Sequence, residues 1–183
     1  MKVTKFSWKI FIARELSKLY EQYFTWTLDE CKKLIDSGII GDLKFIDSIE
    51  QVSIFHFLHA YVRGSYRKES TSSPMIIAKC CHDLDLLTWF AGSRCKNISS
   101  LGDLSYFKKE NQPKGAASRC TDCKFKDDCV YSSVRIYETN NYNLRTHITN
   151  VEPVTDEAVH ESLLNTNFGS CAFDAGNDVV DRQ

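Results

Sequence analysis

The sequence predicts an α+β domain, and three observations carry that expectation. Residues 27–38 show an amphipathic helical face, residues 43–57 form a β-branched and aromatic run, and residues 74–90 form a second helical stretch closed by a glycine. The chain has 183 residues, 43% of them hydrophobic and 26% charged. That is enough for one domain with a substantial core. No internal repeat, low-complexity tract or domain boundary stands out.

The elements follow in order. Residues 1–26 are mixed and aromatic, with a helical pattern through Ile10, Glu15, Leu19 and Tyr23. Thr27 reads as an N-cap with Glu30 as its capping-box partner. Leu28, Cys31, Leu34 and Ile35 then face one side, and Gly38 sits where a C′ glycine belongs. The run 43–57 alternates in part and reads as a strand. Residues 68–74 form a loop, and a helix starts at Pro74 or Met75, reaches Phe90 and ends at Gly92. Residues 94–107 read as another strand region, 108–130 as a polar, cysteine-bearing loop, and 138–152 as a connector. Thr155 caps a short helix over 155–165.

Composition excludes several function classes. A net charge of -1 gives no basic surface for nucleic acid. The longest apolar stretches, such as Ile10–Ala13, fall far short of the roughly 18 residues that span a bilayer. Early lysines without a sustained apolar run argue against a secretory signal. The eight cysteines therefore read as reduced thiols in a cytoplasmic protein.

Three constellations carry candidate chemistry. In Lys79-Cys80-Cys81-His82-Asp83-Leu84-Asp85, a helix would place Lys79, His82 and Asp85 on one side. A carboxylate beside a histidine fixes its tautomer and raises its basicity, which prepares a general base. The plainer reading is a solvated helix face, and for this pattern in isolation it prevails. In His59-Ala-Tyr-Val-Arg63-Gly64-Ser-Tyr-Arg67, two guanidinium forks and an imidazole surround a glycine that permits close backbone approach. They suit a polar substrate pocket; the plainer reading is an exposed basic turn.

The third constellation is Cys120-Thr-Asp-Cys123, followed by Cys129. Its spacing suits zinc or an iron–sulfur centre, with Cys95 or a histidine as fourth ligand. The alternative is a set of reduced cysteines without a metal. None of the eight glycines forms G-x-G-x-x-G, and no P-loop is present, so no residue is assigned to a nucleotide cofactor.

Five stretches, taken in order, resemble the Gfo/Idh/MocA family of oxidoreductases. They are LIDSGIIGDL (34–43), HAYVRGSYR (59–67), SSPMIIAKCCHDLDLLTWFAG (72–92), SSLGDLSYFKKENQPKGAASRCTDCKFKDDCVYSS (99–133) and NDVVDRQ (177–183). The resemblance is to the substrate-side, C-terminal domain of a bacterial-type subgroup and covers most of residues 27–183. Residues 1–26 do not match it.

That resemblance implies an open, mainly antiparallel sheet with helices packed on one face. It implies hydride transfer at a sugar, cyclitol or related hydroxyl carbon, or transient cofactor use in glycoside cleavage. NAD or NADP would be bound by a Rossmann domain that this chain lacks. His82 matches the family histidine that moves the hydroxyl proton, Asp85 would orient it, and Lys79 would stabilise an alkoxide. His59, Arg63 and Arg67 would hold polar substrate groups. The chain departs from the family at Ala78, where an aspartate is common, and at Tyr66, where the subgroup tends to carry tryptophan.

The resemblance leads to the expectation of an incomplete substrate domain, truncated at both ends and inactive alone. Two other functions compete with it. One is a non-catalytic oligomerisation or interaction fragment that self-associates through the sheet; the other is a metal-binding module on Cys120, Cys123 and Cys129.

Overall fold

Helix α1 (Ser17–Asp36) opens the computed structural model, which describes residues 17–139 and 142–181. The helical pattern through Ile10 and Glu15 and the run Ile10–Ala13 lie outside the described residues, as do Asn140, Asn141, Arg182 and Gln183. Because α1 begins well before Thr27, that residue is interior to the helix and not its cap. The end falls as expected: the Gly38 amide donates to the Ile35 carbonyl at 3.1 Å. Gly38 has φ +72°, a left-handed conformation that glycine adopts without steric cost.

The expected antiparallel sheet is absent: no strand occurs among the described residues. Residues 43–53 and 94–102 carry no helix and no ladder, and Phe45, Ile49 and Leu101 are 81%, 76% and 85% exposed. β-Branched and aromatic residues favour a pleated, half-buried surface, but a strand exists only when another segment takes its N–H and C=O groups. Neither run forms a ladder with another segment among the described residues. Backbone pairing of the β type survives in isolated bridges such as that between Arg119 and Ser170.

The last part of the 43–57 run is helical. Helix α2 (Ile54–Phe57) continues directly into a wide π-type turn over Leu58–Arg63. Phe57, Leu58, Tyr61 and Val62 are all buried, a spacing of i, i+1, i+4 and i+5 that belongs to a helix and not a strand. Gly64 stops the turn, and a 3₁₀ turn follows at Ser65–Arg67.

Pro74 precedes α3 (Met75–Ala78), and α4 (Cys81–Ala91) ends at Gly92 with φ +60°. The sequence predicts one helix here, but the backbone breaks at Lys79 (φ -126°, ψ -49°). Helices α5 (Ser133–Glu138), α6 (Tyr142–Arg145) and α7 (Asp156–Asn165) complete the chain. Thr155 caps α7 as its sequence predicts, its hydroxyl accepting from the Ala158 amide at 3.2 Å.

The core joins the α2 segment to α5, α6 and α7. Leu58, Val62, Tyr137, Leu144, Val159 and Leu163 are almost completely buried within it. Phe57, Phe107, Tyr131 and Phe173 form a chain of ring contacts with centroids 5.3–5.9 Å apart. By contrast α4 contributes no buried residue. No helix of the described residues is long and apolar enough to cross a membrane.

The C-terminal segment is fastened by two aspartates. The Asp181 carboxylate accepts from the amides of Ser105, Tyr106 and Phe107 at 2.9, 2.7 and 2.8 Å and from the Ser105 hydroxyl at 2.9 Å. Burial opposes its charge, but these donors outweigh burial and hold the carboxyl below the usual aspartate range. Asp178 accepts from the Glu69 amide at 2.9 Å and so pins the loop after Arg67.

Candidate functional site

The α2 segment divides its residues between two environments. Phe57, Leu58, Tyr61 and Val62 enter the core, while His56, His59, Ala60 and Arg63 line a cavity of about 610 Å³. The second set falls at i, i+3, i+4 and i+7, one side of a helical turn. A π-type widening at this place is a frequent mark of functional sites. The opposite wall comes from Leu144 and His147 and from Thr166, Asn167 and Phe168.

Gly64 makes the geometry feasible. A Cβ there would lie 2.3 Å from the His59 carbonyl oxygen and 3.0 Å from that of Ala60, so no side chain fits. Gly169 behaves alike, since a Cβ would lie 1.7 Å from the Leu163 carbonyl oxygen. Arg119 donates to the carbonyls of Leu163 and Thr166, the latter at 2.7 Å, and steadies the Thr166–Phe168 wall.

Within the cavity, the His59 Nδ1 is hydrogen-bonded to the Tyr137 hydroxyl at 3.0 Å. Its ring stacks on Phe168 at 5.2 Å and lies 6.0 Å from the His147 ring. Burial raises the Tyr137 phenol far above its ordinary range, so this partner stays protonated.

Arg63 is only 1% exposed. Its Nε donates to the Ser170 carbonyl at 2.7 Å, and its Nη2 to the Tyr131 carbonyl at 2.6 Å. Nη1 is buried without a hydrogen-bond partner among the described residues, and so is Nε of Arg67. The structure therefore brings His59, Arg63 and Arg67 together, with Arg63 also tying three chain segments.

Lys79, His82 and Asp85 are placed elsewhere. Lys79 lines a separate cavity of about 840 Å³ with Glu50, Cys80, Asp83, Tyr106, Tyr131 and Asp181 among its walls. Its Nζ is 4.0 Å from Glu50 Oε1. His82 and Asp85 are exposed on α4 and line neither cavity. The break at Lys79 removes the helical alignment of that lysine with His82.

Cys120 and Cys123 are buried, and Cys129 is half-buried. The Cys123 amide closes a turn onto the Cys120 carbonyl at 3.2 Å. No group of three or more His, Cys, Asp or Glu side chains among the described residues converges on a metal position. Cys95, the suggested fourth ligand, is exposed, and its thiol donates to the Asn97 carbonyl at 3.1 Å. These residues do not fit a closed zinc site as arranged.

Sequence reasoning missed His56, Tyr137, His147 and Phe168. For His56 a signal existed, because it continues the His59, Ala60, Arg63 spacing. The others lie far along the chain, and nothing local marks them as neighbours.

No family model matches the chain, and no solved structure matches it. It is similar to the protein named "Putative oxidoreductase YteT" of Bacillus subtilis (strain 168), at 24% identity over 156 residues. That match takes in 82% of this chain and 35% of the relative's length.

Proposed function

We propose that this chain is the substrate-holding part of an oxidoreductase of the Gfo/Idh/MocA type. Its reaction is nicotinamide-dependent hydride transfer at a sugar, cyclitol or related hydroxyl compound, in the cytoplasm. The observation that carries this reading is the cavity itself, which gathers His59, Arg63 and Arg67. The similarity to a protein named an oxidoreductase supports it from a second side. His147, Asn167 and Thr166 add hydrogen-bonding groups suited to hydroxyls, and Phe168 adds an apolar face.

Calorimetric titration of the full chain tests the proposal. The expected result is saturable polyol binding that His59→Ala weakens, with no binding of NADH or NADPH. Micromolar nucleotide binding without polyol binding would overturn it. The role of His82 in moving the hydroxyl proton rests on the resemblance alone. Full turnover by the His82→Ala form of the whole enzyme would remove that role.

A second reading rests on the apolar side chains left exposed at Phe45, Ile49, Ile98 and Leu101. Covering these side chains with a second copy would remove apolar surface from water, which supports self-association of the chain. Sedimentation that stays monomeric at rising concentration would dismiss it.

A further inference from the structure

We propose that the His59 cavity takes an anionic group of the ligand, a carboxylate or a phosphate, so that the substrate is an acidic sugar derivative and not a neutral one. This rests on the substrate-holding reading above and narrows its substrate class.

Arg63 and Arg67 both line the cavity, and no Asp or Glu does so among the described residues. Neither arginine takes part in an ion pair among the described residues. The Arg63 guanidinium is withdrawn from water yet meets only the Ser170 and Tyr131 carbonyls and the Cys120 sulfur at 3.7 Å. A guanidinium stays protonated at any accessible pH, and a buried charge without a counter-charge is costly. Both guanidiniums also keep a buried N–H without a partner. An oxyanion seated in the cavity brings both guanidiniums the counter-charge that the described residues do not supply.

The second cavity provides a contrast within the same molecule. Its lysine is accompanied by Glu50, Asp83 and Asp181, so an anion has no reason to settle there. The two sites therefore differ in the sign of the charge they present, and the anion selects the one built around His59.

The test is a titration of the full chain with glucuronate, glucose 6-phosphate, glucose and inorganic phosphate. We expect glucuronate or glucose 6-phosphate to bind at least about tenfold more tightly than glucose, as one charge-assisted hydrogen bond requires. Whichever of the two binds better identifies carboxylate or phosphate as the anion. Arg67→Gln should abolish the preference while its melting curve stays cooperative, and Arg67→Lys should keep part of it. Added salt should weaken the charged ligand and leave glucose unaffected.

Equal binding of glucose and glucuronate overturns the anion site and leaves the sugar-holding reading in place. Binding of inorganic phosphate as tight as that of glucose 6-phosphate, with no contribution from the sugar, upholds the anion site and overturns the sugar reading. No binding of any of the four at millimolar concentration, by a folded chain, overturns both.

Discussion

The imidazole of His59 and the hydroxyl of Tyr137 meet at 3.0 Å across 78 positions of sequence. This hydrogen bond ties the cavity wall of the α2 segment to α5, whose Tyr137 is fully buried. Tyr137→Phe keeps the ring and deletes the bond. The expected cost is about 1 kcal/mol, read as a lower urea midpoint with an unchanged slope. The variant should also weaken polyol binding, because the His59 ring loses the group that orients it. Binding unchanged from the parent chain would show that the ring contacts of His59 position the imidazole without this hydrogen bond.

Three phenols, those of Tyr61, Tyr131 and Tyr137, have raised pKa values and so bear on alkaline stability, Tyr61 chiefly through burial. The Tyr131 pKa is pushed up to about 12, first by its hydrogen bond with Tyr106 and then by burial, and burial raises that of Tyr137. A raised folded pKa contributes stability fully present below the unfolded value of about 10 and lost as pH rises through the folded one. The chain should therefore lose stability from about pH 10 upward. Tyr106→Phe should move one phenolate titration, followed by absorbance near 295 nm, back toward about 10. An unshifted titration would refute the part given to the Tyr106 hydroxyl.

Asp181 has the opposite sign. Its lowered pKa contributes stability above the unfolded value of about 3.9, and that contribution is lost as pH falls through the folded value. Asp181→Asn should cost about 1–2 kcal/mol at neutral pH, with solvent screening holding it to the low end of charged hydrogen bonds. Parent and variant should converge in stability on acidification below about pH 4. A gap that persists in acid would assign the effect to lost packing and not to the carboxylate charge.

Gly64→Ala forces a Cβ to within 2.3 Å of the His59 carbonyl oxygen, a backbone atom that cannot step aside alone. The turn must open, at a cost of about 2–3 kcal/mol or more. Thermal melting measures that cost. Ala60→Gly combined with Gly64→Ala should recover little, because the added Cβ meets backbone atoms of His59 and Ala60, which that change leaves in place.

What the sequence determined by itself was local. The glycine stops at Gly38 and Gly92 and the Thr155 cap are legible because each depends on the conformation of a few adjacent residues. The pairing of His59, Arg63 and Arg67 is legible for the same reason, since they lie within three turns of chain. The tertiary structure decided the rest. Whether residues 43–53 become a strand depends on a partner elsewhere, and β propensity carries no information about one. The π-type turn at Leu58–Arg63 forms where Leu58, Tyr61 and Val62 enter the core, and the break at Lys79 separates that lysine from His82. The meeting of His59 with Tyr137, His147 and Phe168 is a long-range event. Only the burial that joins α2, α5, α6 and the segment after α7 brings those side chains to one cavity.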